Sequence, residues 1–206
     1  MATILRVDSS ARRAVSHSRA TADLIEQAIL RAHPDWSVTR RDVAAEPLEH
    51  LRDETIQGFY TPADQFTDEL AAATALSDQL IAELMRAEAL IVSAPIYNFS
   101  MPSSLKAWVD QVMRIGRTFS YGASGFSGLV PMKTAYLALS YGGVGYAEGG
   151  DFASMNFLEP YLISLLKFMG IDQVHTFRTE GTTGAPDWVA AEGERVAAEI
   201  AEFFHN

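Results

Sequence analysis

The stretch that decides the fold is Ala89-Leu90-Ile91-Val92-Ser93, continued directly by Ala94-Pro95-Ile96-Tyr97-Asn98-Phe99-Ser100-Met101-Pro102. Its first part is a short apolar run of the kind that forms a strand buried on both faces of a parallel sheet. The second part lies between that strand and an amphipathic helical pattern, which is where α/β proteins bind ligands. An aromatic loop with an amide side chain at this position indicates a binding site for a flat ring.

The composition limits the class of protein. With 206 residues, 48% hydrophobic and 20% charged, the chain can form a full core, and we expect a single domain over residues 1–206. The net charge of −10 argues against nucleic-acid binding, which needs clustered Lys and Arg. Cys is absent, so redox chemistry would need a cofactor, and the five His show no metal-ligand spacing. We therefore expect no metal site.

The N-terminus leads directly into a strand pattern, without the basic and apolar segments of a secretory signal. No apolar run approaches the ~20 residues that span a bilayer. We therefore expect a cytoplasmic protein that does not bind membranes.

Strand-like runs alternate with helical patterns along the chain. The predicted strands are Thr3–Val7, Ser37–Asp42, Ala89–Ser93, Lys133–Leu139 and Ile171–Phe177. The predicted helices are Ser18–Ala32, Phe66–Arg86, Pro102–Met113, Asn156–Met169 and Asp187–Phe204. This order predicts an α/β fold with a doubly wound, five-stranded parallel sheet and helices on both faces.

Two connections are longer than ordinary loops. The region Val43–Gln65 is polar and is expected to be loop with a short helix over Arg52–Phe59. The region Gly116–Pro131 is rich in glycine and is expected to form a hairpin or flap. Either could cover a ligand site or a partner subunit. Four aromatic residues either wall an apolar slot for a planar substrate or are ordinary packing residues: Phe119, Tyr121, Phe126 and Tyr146.

The loop after the first strand runs from Ser9 to Ser18 and leads into a helix. Hydroxyls together with the free N–H groups of a helix N-terminus form an anion site without lysine, which suits a phosphate monoester. Alternatively, Ser16 or Ser18 only caps the helix. Asp8 is unsuited to an anion site, so we expect its carboxylate to point elsewhere.

The fourth strand ends in Ser140-Tyr141-Gly142-Gly143, where glycines either allow close approach of a ligand or mark a turn. Neither a P-loop nor a G-x-G-x-x-G motif is present. This turn, the serine loop and the aromatic loop follow the fourth, first and third strands, so they lie at one edge of the sheet. In flavodoxin-type sheets FMN binds between the first and third strands, and the three segments predict an FMN site.

The same residues resemble a known family. Ser9-Ser10 with Ser16-His17-Ser18, Ala94-Pro95-Ile96-Tyr97-Asn98-Phe99 with Pro102, Gly116-Arg117-Thr118-Phe119 and Ser140-Tyr141-Gly142-Gly143 are similar to the motifs of the FMN-dependent NADH azoreductases, also described as NADH:quinone oxidoreductases. The resemblance spans nearly the whole chain. It implies a flavodoxin-like fold and a homodimer with one non-covalent FMN per subunit. It also implies ping-pong transfer of two electrons from NADH or NADPH to a quinone or an aromatic azo compound.

The resemblance also implies roles for individual residues. Ser10, Ser16, His17 and Ser18 would bind the phosphate. The isoalloxazine would be bordered by Ile96, Tyr97, Asn98, Phe99, Ser140, Tyr141, Gly142 and Gly143. Two positions depart from the family: Ile96 stands where Met is common, and Tyr141 stands where related chains carry Arg. No catalytic side chain is assigned, and the proton would come from water or from Tyr121.

Two other functions stay open. A flavodoxin-type electron carrier would also be acidic and bind FMN at these strand ends, although the two long connections favour a covered site for small substrates. A serine hydrolase would use Ser9 or Ser10, but the chain has no G-x-S-x-G motif.

Overall fold

The structure is a computed structural model that describes residues 2–123 and 125–205. The strands are β1 (Thr3–Asp8), β2 (Ser37–Asp42), β3 (Ala89–Pro95), β4 (Phe119–Gly122), β5 (Gly125–Gly128), β6 (Thr134–Ser140) and β7 (Gln173–Thr179). The helices are α1 (His17–Ala32), α2 (Asp53–Tyr60), α3 (Asp68–Arg86), α4 (Ser103–Val112), α5 (Glu159–Phe168) and α6 (Pro186–Phe203).

The main sheet has the order β2-β1-β3-β6-β7, and all its strands are parallel. The chain leaves β1 for β2 on one side and returns to β3 on the other, so the strand order reverses between β1 and β3. The predicted doubly wound, five-stranded sheet is therefore confirmed. The strands β4 and β5 form a separate antiparallel hairpin, inserted before β6.

Different helices cover the two faces of the sheet. On one face α1 and α6 bury Ile25 and Ile200 against the strands. On the other face α3, α4 and α5 bury Leu80, Trp108 and Leu162. With both faces covered, β3 is buried along its whole length, which is why the apolar run beginning at Ala89 marks the centre of the fold.

Local hydrogen bonds explain where the elements differ from their predicted bounds. Strand β7 begins two residues later than predicted because Gly170 adopts a φ of 97° and the Ile171 N–H bonds to the last turn of α5. Helix α5 begins at Glu159, and the Asn156 side chain accepts a hydrogen bond from the Glu159 N–H at 3.2 Å. Asn156 therefore lies before the helix that it was predicted to begin.

The β4–β5 hairpin lies at the amino edge of the main sheet. The N–H of Val130, which follows the hairpin, bonds to Met169 at the end of α5, and Phe119 and Phe126 pack on Phe168. Glycine is required at Gly128, since a Cβ there would lie 2.2 Å from the backbone nitrogen of Gly170. The hairpin is thus docked at the end of the sheet opposite to the carboxyl ends of the strands.

Across residues 2–123 and 125–205, no helix is both long enough and apolar enough to cross a bilayer.

Candidate functional site

The three predicted segments meet in one cleft at the carboxyl edge of β1, β3 and β6. Its lining residues are Ser10, Arg12, Val15, Ser16, His17, Pro95, Ile96, Tyr97, Ser140, Gly142, Thr182 and Thr183. Seven of these, including Ser10, Tyr97 and Gly142, are among the twelve site residues predicted from the sequence. The cleft lies at the point where the strand order reverses, which is where sheets of this type bind ligands.

A larger cavity of about 730 Å³ lies on the other side of Tyr97, which borders both spaces. Asn98, predicted as a site residue, lines this second cavity together with Met101, Phe157 and Tyr161. Tyr97 of the aromatic loop therefore lies between the cleft beside the serine loop and an apolar, aromatic cavity.

The serine loop has donors suited to an anion. Ser16 is the N-cap of α1 and its hydroxyl accepts a hydrogen bond from the Arg19 N–H, so the N–H groups of His17 and Ser18 are the free first donors of the helix. The positive end of the helix dipole adds to this preference for an anion. Capping and anion binding are therefore compatible in this loop.

The hydroxyl groups of the individual serines have different hydrogen-bond partners. Ser9 donates to the Ser93 carbonyl at 2.8 Å and so fixes the start of the loop to β3. Ser18 is fully buried, and its hydroxyl lies within hydrogen-bond distance of Ser16 and Ser93. Its contribution to ligand binding is thus limited to its backbone, whereas Ser10 and Ser16 line the cleft.

The carboxylate of Asp8 is held away from the cleft by two arginines that the sequence did not single out. Arg6 is buried and bonds Asp8 at 3.0 Å, and Arg19 approaches the same carboxylate at 3.7 Å. Arg6 also bonds Asp23 on α1. The expectation that Asp8 points elsewhere is confirmed, and its charge is neutralised without Arg12, whose side chain is exposed.

The aromatic loop is a strained turn. Tyr97 and Ser100 exchange two backbone hydrogen bonds of 2.8 and 3.0 Å around Asn98 and Phe99, whose φ values are 49° and 69°. Two consecutive positive φ values define a type I′ turn, a conformation that Asn accepts and that a bulky residue such as Phe rarely adopts. Such strain persists where the surrounding structure enforces it, and it is concentrated at functional sites.

Neighbouring segments enforce that strain. The Ile96 N–H bonds to the Ser140 carbonyl at 2.8 Å, and the Phe157 N–H bonds to the Phe99 carbonyl at 3.0 Å. The turn is therefore fixed on one side to the end of β6 and on the other to the segment before α5.

The glycine turn after β6 is held by the loop after β7. The hydroxyls of Thr182 and Thr183 donate to the carbonyls of Tyr141 and Gly142 at 3.0 and 2.8 Å. These bonds occupy carbonyls at the cleft and position the glycine backbone. Because Thr182 and Thr183 also line the cleft, they are site residues that the sequence analysis missed. The sequence did contain a signal for them, because both threonines follow β7, the fifth strand of the main sheet, whose carboxyl end lies at the same edge.

Tyr141 does not present its side chain to the cleft. Its ring is fully buried on the α5 face of the sheet, stacked 5.0 Å from Tyr146, and its hydroxyl is 3.4 Å from both Glu159 and Asn156. Burial, followed by the nearby Glu159 carboxylate, raises the pKa of this phenol. The expectation that Tyr141 borders a flat ring is therefore wrong for its side chain, because this residue, directly after the end of β6, points into the core.

The hairpin aromatics are also not where the sequence analysis expected a substrate slot. Phe119, Tyr121 and Phe126 form a cluster with Phe168 at the amino edge of the sheet, whereas the cleft lies at the carboxyl edge. They cannot wall a site in their own chain. Tyr121 and Phe126 remain exposed, which leaves contact with a partner subunit as the alternative. Tyr146 stacks between Tyr141 and Phe152 and is a packing residue.

Together these features describe a site for a flat aromatic molecule that carries an anionic group. The anion would lie at the start of α1, and the ring would lie against the strained turn and the glycine backbone.

Comparison with known proteins agrees with this geometry. A family model described as "Flavodoxin-like fold" matches residues 2–204. An FMN-dependent NADH:quinone oxidoreductase of Xanthobacter autotrophicus is 49% identical over 174 residues, covering 84% of each chain. A protein of the same description from Hyphomonas neptunium is 41% identical over 203 residues, covering 98% of this chain and 95% of its own.

Solved structures show the same similarity. The crystal structure of an azoreductase from Bacillus anthracis superposes with a TM-score of 0.88 at 26% identity, covering 99% of both chains. The azoreductase AzrA superposes with a TM-score of 0.85 at 27% identity, covering 98% of this chain and all of its own.

Proposed function

Because this chain belongs to the flavodoxin-like family that includes the FMN-dependent NADH:quinone oxidoreductases, we propose that it passes two electrons from NADH or NADPH to quinones and to aromatic azo compounds by a ping-pong mechanism. That it is an FMN-dependent oxidoreductase follows from its relatives. The choice of acceptors and the order of binding are the proposed part.

One observation carries the proposal: an anion-binding helix N-terminus and a strained aromatic turn converge on a single cleft. Ser10, Ser16 and His17 line this cleft together with Ile96 and Tyr97. FMN has the matching parts, a phosphate monoester and a flat tricyclic ring. The hydroxyl and N–H donors of the serine loop thus suit the phosphate, and the aromatic turn suits the ring.

The residues of the chain would hold FMN in a defined way. The hydroxyls of Ser10 and Ser16 and the first N–H groups of α1 would bind the phosphate. Asn98, which can both donate and accept, would pair with the polar edge of the ring, and the backbone of Gly142 and Gly143 would approach it closely. When bound, FMN supplies two-electron redox chemistry between the nicotinamide and the acceptor.

The protein's own contribution is positioning and electrostatics. The N–H groups of Asn98 and Phe99 would stabilise negative charge that develops on the ring, and they are fixed in advance by the two hydrogen bonds that Tyr97 and Ser100 exchange. The apolar surface formed by Met101, Phe157 and Tyr161 would exclude water and favour planar acceptors. Donor and acceptor would use this one opening in turn, which is the physical basis of a ping-pong order.

We further propose that the protein is a cytoplasmic homodimer. Phe99 and Phe157 are exposed beside the cleft, and Tyr121 and Phe126 are exposed on the hairpin. Aromatic side chains are enriched in interfaces, and burying these groups against a second copy would remove exposed apolar surface. Sedimentation analysis should give a mass of two chains. A monomer at micromolar concentration would contradict the dimer and leave the cofactor site unaffected.

The function is tested by steady-state kinetics with purified, FMN-loaded protein. NADH oxidation should depend on an added benzoquinone, and an azo dye should lose its colour at the expense of two NADH per azo bond. Varying donor and acceptor together should give parallel double-reciprocal lines. If the protein bound FMN but oxidised NADH only with a partner protein, the electron-carrier alternative would replace this proposal.

A further inference from the structure

A partly buried ion pair lies behind the serine loop and connects it to the neighbouring strand. Arg19, in the first turn of α1, donates to both carboxylate oxygens of Asp42 at 2.7 and 2.9 Å. The same guanidinium donates to the Ser10 carbonyl at 2.9 Å. Asp42 is the last residue of β2, and its register partner on β1 is Asp8, directly before the loop.

We propose that Arg19 and Asp42 form a brace that positions the serine loop for the phosphate of FMN, so that the pair sets how strongly the protein prefers FMN to riboflavin. This rests on the proposed phosphate site at the start of α1. Neither residue touches the phosphate in this proposal; both act through the Ser10 peptide.

The geometry of that peptide explains how the brace would act. A peptide unit is planar, so fixing the Ser10 carbonyl toward Arg19 also fixes the Ala11 N–H in the opposite direction, away from the guanidinium. Ser10 and Arg12, on either side of Ala11, both contribute to the lining of the cleft. Without the brace the loop from Ser10 to Ser16 would be less well ordered in the free protein, and binding FMN would have to restore that order.

The charges in the brace support a positioning role. The hydrogen bonds from Arg19 lower the pKa of Asp42, and those to Asp42 raise the pKa of Arg19, so both groups stay ionised. The guanidinium faces two carboxylates, those of Asp42 and Asp8, and its side chain is only 14% exposed. Its positive charge is thus already neutralised, and its role is to hold the loop rather than to attract the anion.

Asp42 extends the brace to a second segment. One of its oxygens also accepts hydrogen bonds from the N–H groups of Ala44 and Ala45, at the start of the long connection after β2. That connection passes beside Tyr97, since Ala44 and Leu48 share a cavity with it. A single carboxylate therefore ties together both segments next to the cleft.

The test compares the dissociation constants of FMN and riboflavin for the apoprotein and its variants. Arg19→Gln should weaken FMN binding by about tenfold or more, the equivalent of one charge-assisted hydrogen bond or loop contact, and change riboflavin binding by less than about threefold. Asp42→Asn should also weaken FMN binding, but by a smaller factor, because an amide oxygen can still accept one of the hydrogen bonds from Arg19. Arg19→Lys should retain only part of the wild-type preference for FMN over riboflavin, since an ammonium group lacks the planar, two-pronged donor geometry of a guanidinium.

Arg41→Gln is the matched control. Arg41 is the neighbour of Asp42 on β2 and forms a similarly buried pair with Glu83 of α3, on the face of the sheet opposite to α1. Its loss should affect stability but leave the FMN to riboflavin ratio unchanged.

The outcomes separate the brace from the site on which it depends. A wild-type protein that binds riboflavin as tightly as FMN would overturn both the phosphate site and the brace. A wild-type preference for FMN that persists in Arg19→Gln and Asp42→Asn would overturn the brace alone. An equal loss of preference in Arg41→Gln would also overturn it, because the effect would then be general loosening. If Arg19→Gln does not fold, Asp42→Asn and Arg19→Lys decide the question.

Discussion

The Tyr97–Ser100 turn and the β4–β5 hairpin are similar in the types of residue they contain but lie at opposite edges of the main sheet. Both combine aromatic residues with residues suited to tight turns, and both are predicted from the sequence as segments beside a ligand. The first follows a strand and therefore lies at the carboxyl edge, where the sheet reverses its order. The second precedes a strand and is docked at the amino edge against Phe168. Aromatic content alone thus does not locate a site; the end of the strand to which a segment is attached does.

The two segments are also held by different forces. The turn is fixed by backbone hydrogen bonds from Ile96 and Phe157 and carries strain at Asn98 and Phe99. The hairpin is fixed by aromatic packing and by the close approach of Gly128 to Gly170. We therefore expect changes in the hairpin to affect stability most and changes around the cleft to affect cofactor binding most.

The largest expected effect is that of Gly128→Ala. The added Cβ would overlap backbone atoms of Met169 and Gly170 at 2.3 and 2.2 Å, so the hairpin would have to move away from α5. Overpacking of this kind costs about 3 kcal/mol, and for a chain of this size the melting temperature should fall by roughly 6–12 °C. The ratio of FMN to riboflavin affinity should not change.

Gly122→Ala is the control within the same hairpin. Among the residues that the structure describes, none has an atom within 4 Å of a Cβ added at Gly122, and the φ of Gly122 is not positive, so stability should stay within about 0.5 kcal/mol of wild type. Equal melting temperatures for the two variants would refute the docking of the hairpin through Gly128.

A smaller effect is expected at the support of the glycine turn. Glu159 is buried and accepts hydrogen bonds of 2.6 and 2.5 Å from Arg178, beneath the hydroxyl of Tyr141. Glu159→Gln would leave Arg178 without the carboxylate to which it donates both hydrogen bonds. Because Arg178 is partly exposed, the cost should be about 2 kcal/mol, below that of a fully buried pair. Urea denaturation should show this shift.

The exposed pair Arg195–Glu199 is the matched control for that experiment. Glu199→Gln removes an ion pair of similar length, 2.8 Å, on the surface of α6, where such pairs contribute little. If Glu159→Gln were as mild as Glu199→Gln, the buried cluster under Tyr141 would not support the turn.

The sequence predicts the sheet, its helices and the segments of the cleft because these depend on local patterns. Buried strands read as apolar runs, and loops that follow parallel strands meet at one edge, so the serine loop and the turn at Asn98 could be placed from the chain alone. Tyr141 directly follows β6, so its orientation depends on the register of that strand, and a shift of one residue would have reversed it. The pairing of Arg19 with Asp42 joins residues 23 positions apart and has no local pattern.

Asn98 separates the shape of the turn from the chemistry of its side chain. Asn98→Ala should disfavour the positive φ and remove the amide, whereas Asn98→Gly should keep the turn and remove only the amide. If the amide binds the flavin, both variants should raise the FMN dissociation constant by about 5–10-fold, the value of one hydrogen bond. Only Asn98→Ala should also lower the melting temperature. Unchanged affinity in Asn98→Gly would remove the side chain from the site.

The smallest expected effect is the pH dependence contributed by Asp42. Its hydrogen bonds from Arg19 lower its pKa in the folded protein below the value of about 3.9 of an unfolded carboxyl. Around pH 4 the unfolded chain therefore binds more protons at this position, so the stabilisation is present above pH 4 and is lost as the pH falls through the folded pKa. Since the carboxylate is partly exposed, the contribution should be about 1 kcal/mol or less. Denaturation curves of wild type and Asp42→Asn, measured from pH 6 to pH 3, should converge toward the acid end. A constant difference across that range would mean that the pair stabilises the serine loop through its shape and not through its charge.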